Sequence, residues 1–317
     1  MKKLVIMMSL ALVIGACGNK KEQKDAGSDA AKLTGSISID GSSTVFPVTE
    51  AVAEEFRAVQ PDVQVTIGVS GTGGGFQKFS RGETNISNAS RPIKDKEIAA
   101  CEENNISYLG LEVAYDGLAV VVNPENTWVD SFTVEELKKI WEPAAQGKIM
   151  KWNQIRPEWP NEEIHLYGPG VASGTFDYFT EAINGKSGSS RGDYTASEDD
   201  HVLVQGIAGD KYALGFFGLA YYEESKDKLS LIGVHNGTEV VKPSLETVSN
   251  GTYSPLSRPL FIYVNSTSMK QPEVIEFINF YLDNAAELSE DVGYIKLPAE
   301  LYAKQKENFK AFVEKNK

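Results

Sequence analysis

The sequence predicts an α/β fold in two lobes, each a mostly parallel sheet flanked by helices. Three observations predict it. Short apolar strands alternate with amphipathic helices from residue 36 onward, the pattern of parallel βαβ units. Three Gly/Ser/Thr-rich turns each end a strand and open a helix: Gly41-Ser42-Ser43-Thr44, Ser70-Gly71-Thr72-Gly73-Gly74-Gly75 and Ala172-Ser173-Gly174-Thr175. Two long apolar strands, Tyr115 to Asn123 and Arg258 to Asn265, stand far apart in the chain and read as paired crossovers between the lobes.

In chain order, Ser36 to Asp40 alternates apolar and polar residues and is predicted as a strand. After the first turn, Val48, Val52, Phe56 and Val59 recur at helical spacing, with Pro47 in the first turn where its missing N–H costs nothing. Val63 to Val69 is a second strand, followed by the glycine-rich turn and a helix starting near Phe76. A short third strand, Asn85 to Ala89, ends at Ser90-Arg91-Pro92. Thr133 and Glu136 form a capping box before an amphipathic helix ending at Trp141. Ser197 is predicted to cap another helix, with Glu198, Asp199 and Asp200 suited to its N-terminus. Gln271 to Phe312 carries helical patterns that pack back on the first lobe. Phe216, Phe217, Tyr221 and Tyr222 read as core aromatics, and Tyr115 and Asp116 as hinge or buried residues.

The two ends of the first segment differ in character. Met1-Lys2-Lys3 and the apolar run Leu4 to Ile14 form a signal peptide over residues 1–16, too short to span a bilayer. It closes on Ile14-Gly15-Ala16-Cys17, which resembles the lipobox of bacterial lipoproteins and marks Cys17 for lipidation. Residues 17–32 are polar and charged and read as a flexible tether. Cys101 is then single in the mature chain, so no disulfide framework is expected, and it reads as a small apolar helix residue.

With 31 Lys and Arg against 44 Asp and Glu, the chain carries a formal net charge of −13. That argues against nucleic acid as a partner and against a polybasic membrane patch. It also constrains the three turns. The first turn of a helix holds N–H groups without internal partners and a partial positive charge. Small hydroxyl residues there let a tetrahedral anion approach the backbone and add O–H donors. An acidic protein must hold an anion through such local dipoles, because its global field repels it. At each turn taken singly, glycine is equally explained by a tight strand–helix connection.

A family resemblance covers essentially the whole mature chain. The ordered segments DGSSTVFPVTEAVAEEF, VSGTGGGFQKFSRGE, SNASRPI, YDGLAVVVN, FTVEELKKIW, KWNQI, ASGTFDYF, YALGFFGLAYY and PLSRPLFIYV resemble the phosphate-binding proteins of bacterial ABC importers, the PstS type. The resemblance implies a two-lobed periplasmic-binding-protein fold of type II, lobe 1 formed by residues 34–117 and 254–317 and lobe 2 by 118–253. It implies inorganic phosphate in the cleft, delivery to ABC permease subunits, a monomer held to a bacterial membrane by lipid (periplasm or outer cell surface), and no cofactor. Carried across, the ligand-binding positions are Ser43, Thr44 and Val45; Ser70, Gly71, Thr72 and Gly73; and Ser173, Gly174 and Thr175.

The departures from that pattern are specific. Family members carry an aspartate at the end of the third strand, where this chain has Ser90-Arg91, and an arginine four residues before the third serine, where it has Pro169. Arg91 could supply the missing cation, with bidentate geometry suited to phosphate, or form a salt bridge instead. Asp177 and Asp116 are the candidate acceptors for the phosphate proton. Such an acceptor separates phosphate from sulfate, because a carboxylate facing an unprotonated oxygen is repulsive. Arg191, with Asp193, lies in a Gly/Ser-rich loop that could reach the cleft. Sulfate, molybdate or arsenate binding, or a surface sensor without transport, remain alternative readings. Enzyme readings do poorly: His165, His201 and His235 show no metal-ligand spacing, and neither G-x-S-x-G nor a nucleotide P-loop occurs.

Overall fold

The computed structural model describes residues 32–317. The signal peptide expected over 1–16, the lipidated Cys17 and the tether up to residue 31 lie outside the described residues. The first half builds β1 (Gly35–Gly41), α1 (Phe46–Val59), β2 (Val63–Gly68), α2 (Gly71–Phe79), β3 (Ile86–Ala89), α3 (Asp95–Glu103) and the long β4 (Tyr108–Val122). β1 pairs in parallel with β2 and β3, so two βαβ units place the N-termini of α1 and α2 at the same end of the sheet. The spacing read from the sequence holds for α1, whose Val48, Val52 and Phe56 are buried.

The second half runs through β5 (Ser131–Phe132), α4 (Val134–Trp141), β6 (His165–Pro169), α5 (Gly174–Asn184), β7 (Thr195–Ser197), α6 (Asp200–Ala208), β8 (Ala213–Gly218), α7 (Leu219–Ser225), β9 (Ser230–Leu231), β10 (Gly233–His235), β11 (Val240–Val241) and α8 (Leu245–Ser249). The chain then returns through β12 (Ser257–Asn265), α9 (Pro272–Asp291) and α10 (Ala299–Asn316). β6 is parallel to both β7 and β8.

β4 joins the halves. Its residues from Tyr108 to Gly117 pair antiparallel with β12, and Leu118 to Val122 pair antiparallel with β8. The two apolar strands therefore do lie side by side, and β4 alone continues into the second sheet. The fold is α/β and two-lobed, with parallel outer strands around an antiparallel crossing. α9 returns to the first lobe, its Phe277 meeting Phe56 of α1 edge-on at 5.2 Å, while the second lobe centres on Trp141, Phe179 and Phe216. Cys101 is buried in α3, and burial pushes its thiol upward, away from the reactive thiolate.

Three boundaries differ from the sequence reading. α2 begins at Gly71 instead of near Phe76, so the glycine run is itself helical. Its packing against β1 and β3 supplies what glycine's propensity withholds. β4 starts at Tyr108, because its first residues pair with β12 whatever their alternation. Asp199, not Ser197, caps α6: its carboxylate accepts from His201 N at 2.9 Å, while Ser197 Oγ bonds the Asp199 backbone. The box at Thr133 forms as read, with Thr133 Oγ1 accepting from Glu136 N at 3.1 Å and Glu136 accepting from Thr133 N at 2.9 Å. Among the described residues no helix is long and apolar enough to cross a membrane.

Candidate functional site

The first loop is set by how closely it passes β3. Gly41 adopts φ of 142°, and a Cβ there would stand 2.1 Å from Asn88 O. Ser42 N donates to that same carbonyl at 3.0 Å, which holds Ser43 and Thr44 at the opening of α1. Thr44 is buried, and Val45, the residue before α1, turns its side chain wholly into the core. The second loop opens α2 beside the end of β3. Thr72 Oγ1 lies 3.1 Å from Ser90 Oγ and accepts from Ser90 N at 3.2 Å. Ser70 points elsewhere: its N–H and hydroxyl both donate to Asp40, which also pairs with Lys78.

The third loop comes from the other lobe. Ser173 caps α5, its Oγ accepting from Thr175 N at 3.1 Å. Gly174 meets the first loop so closely that a Cβ would lie 3.0 Å from Thr44 Cα. Two further contacts fasten α5 across the cleft. Ser43 Oγ donates to Asp177 Oδ2 at 3.0 Å, and the Tyr178 hydroxyl donates to Pro255 O at 2.8 Å.

Two cavities flank this approach. The larger, about 540 Å³, is lined by Ser43, Thr44, Gly71, Thr72, Gly73 and Ser90, together with Arg91, Asp177 and Arg258. The smaller, about 380 Å³, is lined by Ser173, Gly174, Thr175 and Asp116, with Tyr221 and Tyr294. Ser43 borders both. The helix N-termini of α1 and α2 thus face one cavity and that of α5 faces the other, and the α1 and α5 openings meet at Ser43 and Gly174.

The charged side chains divide into free and engaged. Arg91 reaches the larger cavity, but its guanidinium is gripped by Glu97 at 2.8 and 2.7 Å. Burial pushes the Glu97 carboxyl up; the hydrogen bonds from Arg91 and Lys94 N more than offset this and hold it below the usual range. Arg191 is buried in the second lobe, bonded to Asp193 and to the carbonyls of Ile140 and Ile149, and it lines neither cavity. The Arg191 guanidinium pulls the Asp193 carboxyl down to about 2.

Arg258 is the charge that sequence reasoning missed. It opens β12, opposite Asp116 of β4. Its Nη2 donates to Thr44 Oγ1 at 2.9 Å, its Nη1 stands 3.6 Å from Glu181, and its Cζ lies 3.5 Å over the Tyr178 ring. Its Nε faces Asp116 Oδ2 at 3.5 Å, too far and too poorly aligned for a hydrogen bond, and both atoms are buried without a partner. Burial pushes the Asp116 carboxyl up to about 6, although Arg258 draws it down. The signal was present in the sequence: each apolar crossover strand contains a single charged residue, and the two are of opposite sign.

Residues 26–285 match the model of the PBP superfamily domain. Protein SphX of Synechocystis is 50% identical over 300 residues, covering 94% of this chain and 86% of its own length. The phosphate-binding protein PstS of Staphylococcus saprophyticus is 38% identical over 299 residues, covering 93% of this chain and 89% of its own. A crystal structure from Planctomyces limnophilus, described as a possible phosphate binding protein, superposes with a TM-score of 0.86 at 48% identity, covering 89% of this chain and 99% of that one.

Proposed function

The chain belongs to the PstS-type phosphate-binding proteins of the PBP superfamily, and from that premise we propose that it captures inorganic phosphate between its lobes and delivers it to an ABC importer. The family is one of substrate-binding proteins, not of enzymes. The observation that carries the reading is that three helix openings with hydroxyl side chains border two adjoining cavities, with the α1 and α5 openings in contact at Ser43 and Gly174. Thr44 Oγ1 already accepts from Arg258, so its O–H remains to donate to an anion. Thr44, Thr72, Ser173 and Thr175, with the N–H groups of Val45, Gly71, Gly73 and Gly174, form the donor set, which Ser43 joins by turning its O–H from Asp177. Closing brings the α5 opening onto an anion already held by the first two loops, so the ligand links the lobes.

No covalent step is needed. The binding protein works extracytoplasmically as a monomer, tethered by lipid on Cys17; the apolar leader and the lipobox-like Ile14-Gly15-Ala16-Cys17 support this. Lobe 1 comprises residues 34–117 and 254–317 and lobe 2 residues 118–253, a division supported by the change of β4 partner between Gly117 and Leu118.

A second reading within the same class is another tetrahedral oxyanion, favoured by the absence of the family's aspartate at Ser90-Arg91 and of its arginine at Pro169. Calorimetric titration of ligand-stripped protein with phosphate and then sulfate separates the two. Tight phosphate binding with sulfate excluded is the expected result. Equal or preferred sulfate binding would keep the fold and overturn the ligand.

A further inference from the structure

We infer that Asp40 is a positioning residue for anion capture: it holds the Ser70 hydroxyl away from α2, so that the first-turn N–H groups of that helix stay free for ligand. The inference rests on the proposed phosphate-binding function and reaches one step behind it, to a carboxylate that borders neither cavity.

Ser70 stands at the N-cap position of α2, where a serine oxygen ordinarily accepts from an N–H of the first turn. No side chain caps α2. The Ser70 backbone is also turned from that task, at φ −108° and ψ 11°, whereas a cap residue sits in the β region. Ser173 shows the ordinary arrangement in the same chain. At φ −77° and ψ 131°, its Oγ accepts from Thr175 N at 3.1 Å.

What holds Ser70 is Asp40, near the end of β1 and only 6% exposed. Ser70 N donates to Asp40 Oδ1 at 3.2 Å, and the Ser70 hydroxyl donates to the same oxygen. Lys78, further along α2, donates from Nζ to Oδ2 at 2.5 Å, so both carboxylate oxygens are occupied. Burial pushes the Asp40 carboxyl up; the hydrogen bonds from Lys78 and Ser70 more than offset this and hold it below its usual range. It therefore stays charged, and acceptor-only, at neutral pH.

Two glycines clear the space for this network. A Cβ at Gly68 would stand 2.3 Å from Asp40 Oδ2, and one at Gly74 would stand 2.6 Å from Ser70 Oγ. Neither glycine has a positive φ, so it is the room and not the backbone that calls for them. The consequence falls on the larger cavity, which Gly71, Thr72 and Gly73 border and Ser70 does not. Their N–H groups open α2 and have no partner within it. A serine cap would consume one of them; with Ser70 held by Asp40, all remain available to an anion.

Phosphate calorimetry on the full-length protein, beside thermal melts, compares Asp40→Ala, Ser70→Ala and the double variant. Asp40→Ala frees Ser70 to cap α2, and phosphate binding is expected to weaken roughly 2- to 30-fold, the range for one N-cap. Removing the hydroxyl in that background removes the competitor. The double variant should therefore bind phosphate more tightly than Asp40→Ala and match Ser70→Ala. A carboxylate that only braced the fold would leave the double variant as weak as Asp40→Ala or weaker. That result, or unchanged affinity in Asp40→Ala, would overturn the assignment. Amide exchange in the wild-type protein keeps the test decisive should Asp40→Ala not fold. The Gly71, Thr72 and Gly73 amides should exchange freely without phosphate and be protected with it; protection beforehand, or none at saturation, would overturn the assignment too. Phosphate binding by the wild type beside any of these contrary results leaves the proposed function standing. If the wild type binds no phosphate, the function and this inference both fall.

Discussion

Gly174→Ala isolates the approach of the two lobes. The added methyl would stand 3.0 Å from Thr44 Cα, 3.4 Å from Thr44 N and 3.5 Å from Ser43 O. All three neighbours are backbone atoms at the opening of α1, so no side chain can rotate away. Non-bonded carbons sit best at about 3.5–4.0 Å, so the loops must part by about half an ångström or more. Overpacking of this kind costs roughly 1–3 kcal/mol, or about 5- to 150-fold in affinity where closure is required for binding. The cost falls on the closed form. The unliganded protein should keep its melting temperature or gain slightly, since alanine is the better helix former by up to about 1 kcal/mol. Titration with phosphate, beside a thermal melt without it, reads the two effects separately. Phosphate affinity within twofold of wild type at an unchanged melting temperature would refute the reasoning, because the bound lobes would then not come this close.

Other perturbations have equally definite outcomes. Asp116, raised by burial from 3.8 to about 6, holds its proton more tightly folded than unfolded, so its contribution to stability is full below about pH 4 and is lost as pH rises toward 6. Asp116→Asn should therefore lose less stability than wild type between about pH 4 and pH 7, by about 3 kcal/mol, in urea unfolding; parallel pH dependence in both proteins would contradict this. Asp193→Asn weakens the pairing of a buried arginine and should cost about 1–3 kcal/mol of stability with phosphate affinity unchanged. Lost affinity at full stability would instead put the Arg191 loop in the site. Cys17→Ser should move the protein from the membrane to the soluble fraction of its host, and retention in the membrane would count against the lipid tether.

The strand–helix order and the three loops were legible because their signals are local. A capping box such as Thr133 to Glu136 needs only two side chains three residues apart, and it forms as read. The opening of α2 was not legible, because helix propensity argues against Gly71 to Gly75 and only packing on β1 and β3 overrides it. Ser197 lost its capping role to Asp199 by a shift of two residues within a run of competent caps. The charges were hardest. Arg91 carries the chemistry of an anion ligand, but the carboxylate that claims it is six residues away on α3. Arg258 and Asp116 become neighbours only when strands 142 positions apart pair in register. No spacing rule finds such a pair; a lone charge in each of two apolar strands is the trace it leaves.

The most direct test is a crystal structure of the protein grown with phosphate. The account predicts one tetrahedral anion between the lobes, within hydrogen-bond distance of Thr44 and the Ser173–Thr175 loop. An anion seated on Arg91 and away from Thr44 and the Ser173–Thr175 loop, or an empty cleft at saturating phosphate, would contradict it.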